Sequence, residues 1–289
     1  MPTMLSRKMG DNRFIITAEL APPRGSDMSG FLKMAAYVAP HVDAINVTDN
    51  QGANMRMTPL IASALLVREG IEPIMQITCR DRNRLALQSD LLGAAAMGIH
   101  NILALTGGHI SCGDHQQGRA VFDLDSVLLI QMMQGLNEGK DINGKPLDGR
   151  TTFFVGAAAA PEVEPFIVTR PKLAKKAIAG ASFFQTQAVF DPQRLSIFCS
   201  TVEPLRVKVI AGVIVLKSAK MAEYINRNIP GLKIPPKVVE RLANSADPAA
   251  EGLRIATELA VQYRDICHGV HLMAMGRDEV VPAIVAALK

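Results

Sequence analysis

A carboxylate lies inside an apolar run near the start of the chain, in the segment AELAPPR that contains Glu19. A charge in such a run must be paired, protonated or set in a cavity. Two interpretations fit the residue types: an ion pair with Arg24, or a general acid that its surroundings keep protonated near neutral pH. Pro22 and Pro23 stiffen the chain after the carboxylate and fix the direction in which it points.

Polar side chains also end the second and third apolar runs. Thr48, Asp49 and Asn50 follow the second run, where they suit ligand binding or a turn closed by side-chain hydrogen bonds. Gln76 lies in the third run as a further candidate for ligand binding. Beyond it, Asp81 is placed to cap the next helix.

The fourth and sixth runs carry a second set of candidates. Thr106, Gly107 and Gly108 end the fourth run, and the two glycines either let a ligand approach the backbone closely or form a plain turn. Gln185 and Gln187 share one face of the sixth run because strand side chains alternate. A glutamine on that face offers a bidentate amide to a heterocycle, or is a core amide with its hydrogen bonds satisfied.

Basic residues complete the set. Lys175 and Lys176 follow the fifth run and Arg277 follows the eighth, so each is either an anion contact or an ordinary surface charge. The sequence has no GxGxxG after a strand, no phosphate-binding GxxxxGK[ST] and no GxSxG, which disfavours those nucleotide-binding and hydrolase classes. We predict no metal site, because no strong ligand spacing appears in the set His109, Cys112, Asp114 and His115.

Composition restricts the class of protein. The chain has 289 residues, 48% hydrophobic and 20% charged, which is enough for a full core. A net charge of +4 and 4% aromatic residues without tryptophan argue against a nucleic-acid partner and fit small anionic ligands. No apolar run reaches the roughly 18–20 residues that span a bilayer, and no secretory signal is evident. The four isolated cysteines indicate a reducing setting, so we predict a cytoplasmic protein.

Eight β-rich runs alternate with helical stretches and predict an α/β fold, a (β/α)8 TIM barrel forming a single domain over residues 1–289. Most runs are continuously apolar, as parallel strands buried on both faces are. The polar segment 107–123 after the fourth run is the kind of loop that carries ligand machinery at the barrel mouth. The runs are 14–20, 43–49, 72–79, 101–107, 153–159, 182–189, 207–214 and 269–275.

The helical stretches are less sharply defined. Residues 81–97 read as a helix that buries Leu85, Leu92 and Ala96 and leaves Arg82 to solvent. Pro171 is expected near the start of a helix, where its missing N–H costs little. Residues 221–264 are too long for one crossover and predict two or three helices before the last strand.

Six segments together resemble the methylenetetrahydrofolate reductase family. They occur in family order, are specific only in combination, and cover most of the chain, from about residue 14 to 278. The segments are AELAPPR, DAINVTD, ITCRDRN, GIHNILALTGG, AAAAPEVEP and AGASFFQTQAVFD.

The resemblance implies a TIM-barrel oxidoreductase that binds FAD and interconverts 5,10-methylenetetrahydrofolate and 5-methyltetrahydrofolate by hydride transfer from flavin N5. By resemblance, Glu19 is the general acid toward folate N10, and Gln187 and Arg277 contact folate. It also implies one-carbon metabolism and methionine biosynthesis as the setting, with a homo-oligomer allowed. The cofactor-binding positions it implies are Thr48, Asp49, Gln76, Thr106, Gly107, Gly108, Asp123, Ala160, Lys175 and Lys176.

Several positions depart from the family pattern. Gly108 stands where the family has an aspartate, whose loss should make a bound flavin easier to reduce. Gln76 and Glu164 replace frequent histidines, Ala160 replaces a tyrosine, and Ala219 replaces an aromatic residue that stacks on NADH. The electron donor implied is therefore either NAD(P)H or a partner redox protein. FMN in place of FAD, a flavin-free folate enzyme, and a folate- or flavin-binding subunit of a larger complex remain alternatives.

Overall fold

A computed structural model describes residues 3–163, 166–229 and 231–289, without the side chains of residues 166–168. Its eight parallel strands close into one barrel in sequence order, with β8 paired to β1. Each strand falls inside one of the eight predicted runs, so the predicted barrel is confirmed. No helix within the described ranges is long and apolar enough to cross a membrane.

The strands and helices alternate along the chain. The strands are β1 (Ile15–Leu20), β2 (Ala44–Val47), β3 (Pro73–Thr78), β4 (Asn101–Leu105), β5 (Phe154–Ala159), β6 (Phe183–Ala188), β7 (Lys208–Ile214) and β8 (Gly269–Met273). The helices are α1 (Met4–Gly10), α2 (Ser29–Val38), α3 (Pro59–Arg68), α4 (Arg84–Ala96), α5 (Ser126–Asn137), α6 (Phe166–Ile178), α7 (Pro192–Val202), α8 (Ala219–Asn228), α9 (Pro236–Asn244), α10 (Pro248–Tyr263) and α11 (Val281–Ala286).

An apolar plug fills the barrel at the amino ends of the strands. Strand residues such as Ile74 and Phe183 form this cluster together with Leu5 and Met9 of α1. Glu72 holds α1 in place because its carboxylate accepts hydrogen bonds from the Met4 and Leu5 amides. The plug therefore closes one end of the barrel with a helix that precedes the first strand.

Alternation along the strands places polar side chains above this plug. Thr17 of β1 faces its register partner His271 of β8, and Asn46 and Gln76 continue the polar layer on β2 and β3. Two residues further along β1, Glu19 stands one layer closer to the carboxyl ends of the strands. The inside of the barrel thus changes from apolar to polar toward its mouth.

Helix α4 differs from its prediction in start and phase. It begins at Arg84, and Asn83, not Asp81, caps it by accepting from the Ala86 amide. The helix carries two apolar rows, so periodicity alone cannot tell which one meets the barrel. It buries Leu87, Leu91 and Ala94 and exposes Leu85 and Leu92, 71% and 40% exposed.

Two further expectations concern helix ends and number. Pro171 lies inside α6 and not at its start, because the helix already begins at Phe166. The residues before the proline are partly β-branched, which disguises their helical state in the sequence. The stretch before β8 holds three helices, α8, α9 and α10, as the prediction of two or three allowed.

Candidate active site

A cavity of about 690 Å³ opens at the carboxyl ends of strands β2 to β6. One wall is small and apolar, built from Ala104, Ala158, Ala159 and Ala160. The volume lies within the range of about 300–1,000 Å³ typical of small-molecule sites. Of the predicted site residues, the cavity brings together Asp49, Gln76, Thr106, Gly107, Gly108, Ala160, Lys176 and Gln187.

Two glycines shape the β4 edge of the cavity in different ways. Gly107 has φ +90°, and a Cβ there would lie 3.0 Å from Cβ of Arg80. A Cβ on Gly108 would meet nothing within 4 Å. Gly107 is thus required by backbone conformation and close packing, whereas Gly108 leaves open space at the edge of the cavity.

An irregularity in β6 directs Gln187 to the cavity. The register of β6 against β7 shifts between Gln185 and Ala188, and there the Gly212 amide donates to Thr186 Oγ1 over 2.9 Å. A Cβ on Gly212 would come within 2.7 Å of Gln187 backbone atoms, so that position must be glycine. Strand bulges commonly re-aim a side chain at a site. Gln187 Oε1 is buried and accepts no hydrogen bond from any described residue.

Two lysines of α6 line the cavity. Lys176 is buried, and its Nζ donates to the Ala158 carbonyl oxygen over 2.6 Å. Burial, with help from the charge of Lys172, lowers the pKa of Lys176 to about 8. Lys172 also lines the cavity and was missed by sequence reasoning, although it lies four residues before Lys176 and so shares its helix face. Lys175 instead lines a separate groove between α5 and α6.

Glu19 lies beside the cavity and does not line it. Its Oε1 accepts a hydrogen bond of 2.9 Å from Nε2 of Gln51, which does line the cavity. Its Oε2 is 3.6 Å from Nε2 of His271, a buried residue that sequence reasoning did not single out. Arg24, the ion-pair partner considered from the sequence, bonds to Asp114 instead.

Asp49 is a structural carboxylate in this site. It is buried, and its Oδ2 accepts from the Thr78 amide, the Thr78 hydroxyl and Nη1 of Arg82, at 2.8, 3.0 and 2.8 Å. Arg82 also pairs with Asp90, so it is not left to solvent as the sequence suggested. The charge of Asp49 is therefore offset by donors from Thr78 and Arg82.

A second carboxylate near Glu19 was not anticipated. Asp278 follows β8 in a short 3₁₀ turn. Burial raises the pKa of Asp278 to about 6, assisted by the charges of Glu279 and Glu19. A group of this kind changes its charge close to neutral pH.

The loop 107–123 is tied across the mouth. Gly113 packs on Ala53, where any Cβ would strike the Ala53 carbonyl oxygen. Asp114 accepts from the Met55 amide, from Arg24 and from His115, which holds the pKa of Asp114 well below its usual range. Among the described side chains, no group of three or more metal-ligand residues comes together.

Several predicted site residues lie away from the cavity wall. Thr48 is buried in the barrel and its hydroxyl makes no hydrogen bond to a described residue. Asp123 accepts from Arg84 at the start of α4. Arg277 donates to the Ala249 carbonyl oxygen over 2.9 Å. Glu164 lies outside the described residues.

The chain is similar in sequence to one known protein family. A family model described as methylenetetrahydrofolate reductase matches residues 4–289. No curated protein sequence matches the chain significantly.

Solved structures match the chain over almost its full length at low identity. A 2,3-dimethylmalate lyase structure has a TM-score of 0.56 at 10% identity and covers 99% of this chain and 84% of its own. A tryptophan synthase chain from M. tuberculosis has a TM-score of 0.53 at 11% identity, with coverages of 98% and 95%. One from Pyrococcus furiosus has 0.52 at 12%, with 95% and 97%. At such identity these likenesses show the barrel fold alone.

Proposed function

The chain belongs to the methylenetetrahydrofolate reductase family, and from this premise we propose that it reduces 5,10-methylenetetrahydrofolate to 5-methyltetrahydrofolate, or runs the reverse oxidation, with a flavin. One arrangement supports the proposal above all. Gln187 lies on the wall of a cavity, and Glu19 stands one hydrogen bond from that wall through Gln51. An amide that can bind a heterocycle and a carboxyl that can donate a proton thus lie at the same barrel mouth.

The cavity suits a flavin in shape and in chemistry. The alanine wall, made of residues such as Ala104 and Ala158, offers small apolar contacts to a flat ring, and Gly107 permits close backbone approach. Lys172 and Lys176 would hold a diphosphate or phosphate group at the α6 side. When bound, a flavin supplies hydride transfer to or from the folate one-carbon unit. Both FAD and FMN carry the groups that this arrangement would recognise.

Glu19 is the proton donor of the proposal. Its carboxyl O–H bond breaks as a new N–H bond forms at folate N10, which leaves a carboxylate on Glu19. The bond between N10 and the methylene carbon breaks, its electron pair stays on N10, and the five-membered ring that contains the methylene opens to an iminium at N5. The Gln51 amide holds Oε1 throughout and keeps the carboxyl directed along the barrel mouth. In the oxidation direction the same carboxylate takes the proton back.

Gln187 is the pterin-binding residue of the proposal. A side-chain amide offers one acceptor and two donors in a plane, which matches the edge of a heterocycle. Its buried Oε1 is an acceptor that no described residue uses. A ligand donor at this point would satisfy it, and an unsatisfied buried acceptor costs about 1–3 kcal/mol.

The electron donor of the proposal is NAD(P)H or a partner redox protein. A second candidate function is a folate- or flavin-binding barrel subunit without NAD(P)H activity of its own. The observation that favours it is the missing carboxylate at Gly108, because Asp49 and Asp114 are both bonded elsewhere and cannot replace it. A flavin-free folate enzyme is the third outcome that an experiment must distinguish.

The deciding experiment is an anaerobic titration of the purified protein with 5-methyltetrahydrofolate, followed by visible absorption. We expect flavin bands that 5-methyltetrahydrofolate bleaches in wild type, whereas Glu19→Gln retains its flavin and is not bleached. Bleaching by the folate with no oxidation of NADH or NADPH indicates a partner redox protein as donor. A yellow protein that folate does not bleach favours the binding subunit, and a colourless protein that binds folate contradicts the flavin.

A further inference from the structure

A glycine on the chain that leads into α9 lies against the side-chain amide of Gln187. A Cβ built on Gly231 would lie 3.0 Å from Gln187 Oε1 and 2.9 Å from Val163 Cγ2. It would also lie 3.9 Å from Cβ of Ala160, which lines the cavity as Gln187 does. Gly231 itself lines a separate groove. The space that a side chain at position 231 would fill is therefore bounded in part by the Gln187 amide oxygen.

Hydrogen bonds hold this part of the chain to α8. Asn226 Nδ2 donates to the Ile234 carbonyl oxygen over 3.0 Å, and the Ile234 amide donates back to Asn226 Oδ1 over 2.7 Å. Ile234 is itself buried in the hydrophobic core. The chain is thus anchored to α8 and to the core within three residues of Gly231.

Two separate properties favour glycine at position 231. Its φ of +80° lies in the left-handed region, where an L side chain is strained. In addition, a methyl group there would approach Gln187 Oε1 more closely than ordinary van der Waals contact allows. Gly144 has the first property alone: its φ is +82°, and a Cβ there would meet no described atom within 4 Å.

We infer that Gly231 is a positioning residue for Gln187, because its missing side chain leaves the space in which the amide oxygen lies while Gln187 lines the cavity. This inference rests on the proposed function, in which Gln187 binds the pterin. Gln187 Oε1 accepts no hydrogen bond from any described residue, so packing against Gly231 sets where this oxygen lies in the ligand-free protein. A methyl group at position 231 displaces the amide from that place.

Two substitutions with the same backbone cost separate the contact from the conformation. Gly231→Ala adds a methyl group against the amide, and Gly144→Ala adds one to a turn between α5 and β5, at the opposite end of the barrel. In the ligand-free protein containing isotope-labelled glutamine, NMR identifies the side-chain NH2 signals of Gln187 as those that Gln187→Ala removes. We expect these signals to shift in Gly231→Ala and to stay in place in Gly144→Ala. Unchanged signals in Gly231→Ala overturn the inference.

Folate binding measures the functional consequence. Isothermal titration with 5-methyltetrahydrofolate should show an affinity about tenfold weaker in Gly231→Ala than in Gly144→Ala. When Gln187→Ala is already present, adding Gly231→Ala should cause no further loss. A further loss of the same size would show general damage to the site and reject the positioning role. Recovery of the affinity when Val163→Ala is added to Gly231→Ala would assign the effect to Val163 and also reject it.

The two measurements keep this inference apart from the proposed function. Wild type that binds no folate rejects the proposed function and leaves the NMR signals to judge the contact. Folate binding that is equally strong in Gly231→Ala and Gly144→Ala rejects the positioning role alone. If Gly231→Ala does not fold, Gly231→Asn replaces it with Gly144→Asn as its control, because asparagine tolerates the left-handed region better than alanine does.

Discussion

Arg82 and Asp49 join the ends of two neighbouring strands. Arg82 Nη1 donates to Asp49 Oδ2 over 2.8 Å, and Asp49 is a buried residue of the cavity lining. The same carboxylate accepts from the backbone and side chain of Thr78, so it connects the segment after β2 to the end of β3. This pair therefore stabilises the carboxyl end of β3, the strand that carries Gln76.

Arg82→Met should destabilise the protein by about 3–5 kcal/mol, because it leaves the Asp49 charge buried and unpaired. Chemical denaturation measures the loss. The matched control is Arg84→Met, two residues away, which breaks an exposed pair with Asp123 and should change stability little. Adding Asp49→Asn to Arg82→Met should restore part of the loss, and equal effects of the two arginine variants would contradict this account.

Gly108→Asp should lower the reduction potential of a bound flavin. There is open space for the side chain, and a carboxylate there opposes the negative charge that reduction adds. Anaerobic potentiometric titration measures the shift, with Gly108→Asn as the uncharged control of the same size. A potential that stays constant or rises in Gly108→Asp, relative to Gly108→Asn, would count against a flavin at this edge.

Thr186→Val should weaken folate binding roughly tenfold while the barrel remains folded. The change removes the hydroxyl that accepts from the Gly212 amide, and with it the irregularity that directs Gln187 to the cavity. Thr186→Ser keeps the hydroxyl and should bind folate as wild type does. Isothermal titration with 5-methyltetrahydrofolate measures both, and equal affinities in the two variants would show that Gln187 is placed by other contacts.

Binding of FAD should weaken as pH rises through about 8, the pKa of Lys176 in the folded protein. Below that pH Lys176 carries its charge and attracts the diphosphate, and above it the charge is lost while an exposed lysine keeps its own up to about 10.4. Fluorescence titration with FAD at pH values on both sides of 8 measures the change. Lys176→Met should remove the pH dependence and Lys175→Met should retain it; a wild-type affinity independent of pH would contradict the prediction.

The same folded-state pKa also affects stability. Because the pKa of Lys176 is lowered on folding, the unfolded chain binds more protons between pH 8 and the ordinary lysine value, and stability rises with pH over that window. The burial cost of the charged lysine is present in full below pH 8. Ligand affinity and stability at this residue therefore change in opposite directions with pH.

The barrel was predictable because its strands are apolar runs that alternate with helical stretches along the chain. The lining of the cavity was predictable near the ends of regular strands, as for Gln76 and Gly107, whereas the place of Gln187 depends on the irregularity in β6. Prediction failed where the phase of a helix decides: Lys172 and Lys176 face the cavity, but adjacent Lys175 does not. If α6 were rotated by one residue about its axis, Lys175 would face the cavity in place of Lys176. The sequence KLAKK is compatible with either orientation.

Hydrogen bonds between polar side chains inside the barrel could not be predicted from the sequence either. His271 lies in an apolar strand run, where a histidine has no motif to mark it, and its partners Thr17 and Asn46 come from distant parts of the chain. Only closure of β8 onto β1 brings them together. The Arg82 pairing with Asp49 is hidden for the same reason, since a surface arginine and a buried one look alike in sequence.

Helix α1 gives the barrel a sealed base. Leu5 and Met9 occupy the position where a passage through the strands would otherwise end. A ligand of the cavity must consequently enter and leave at the carboxyl ends of the strands. Two large ligands that need the same space exclude each other and bind one after the other, whichever has the higher affinity.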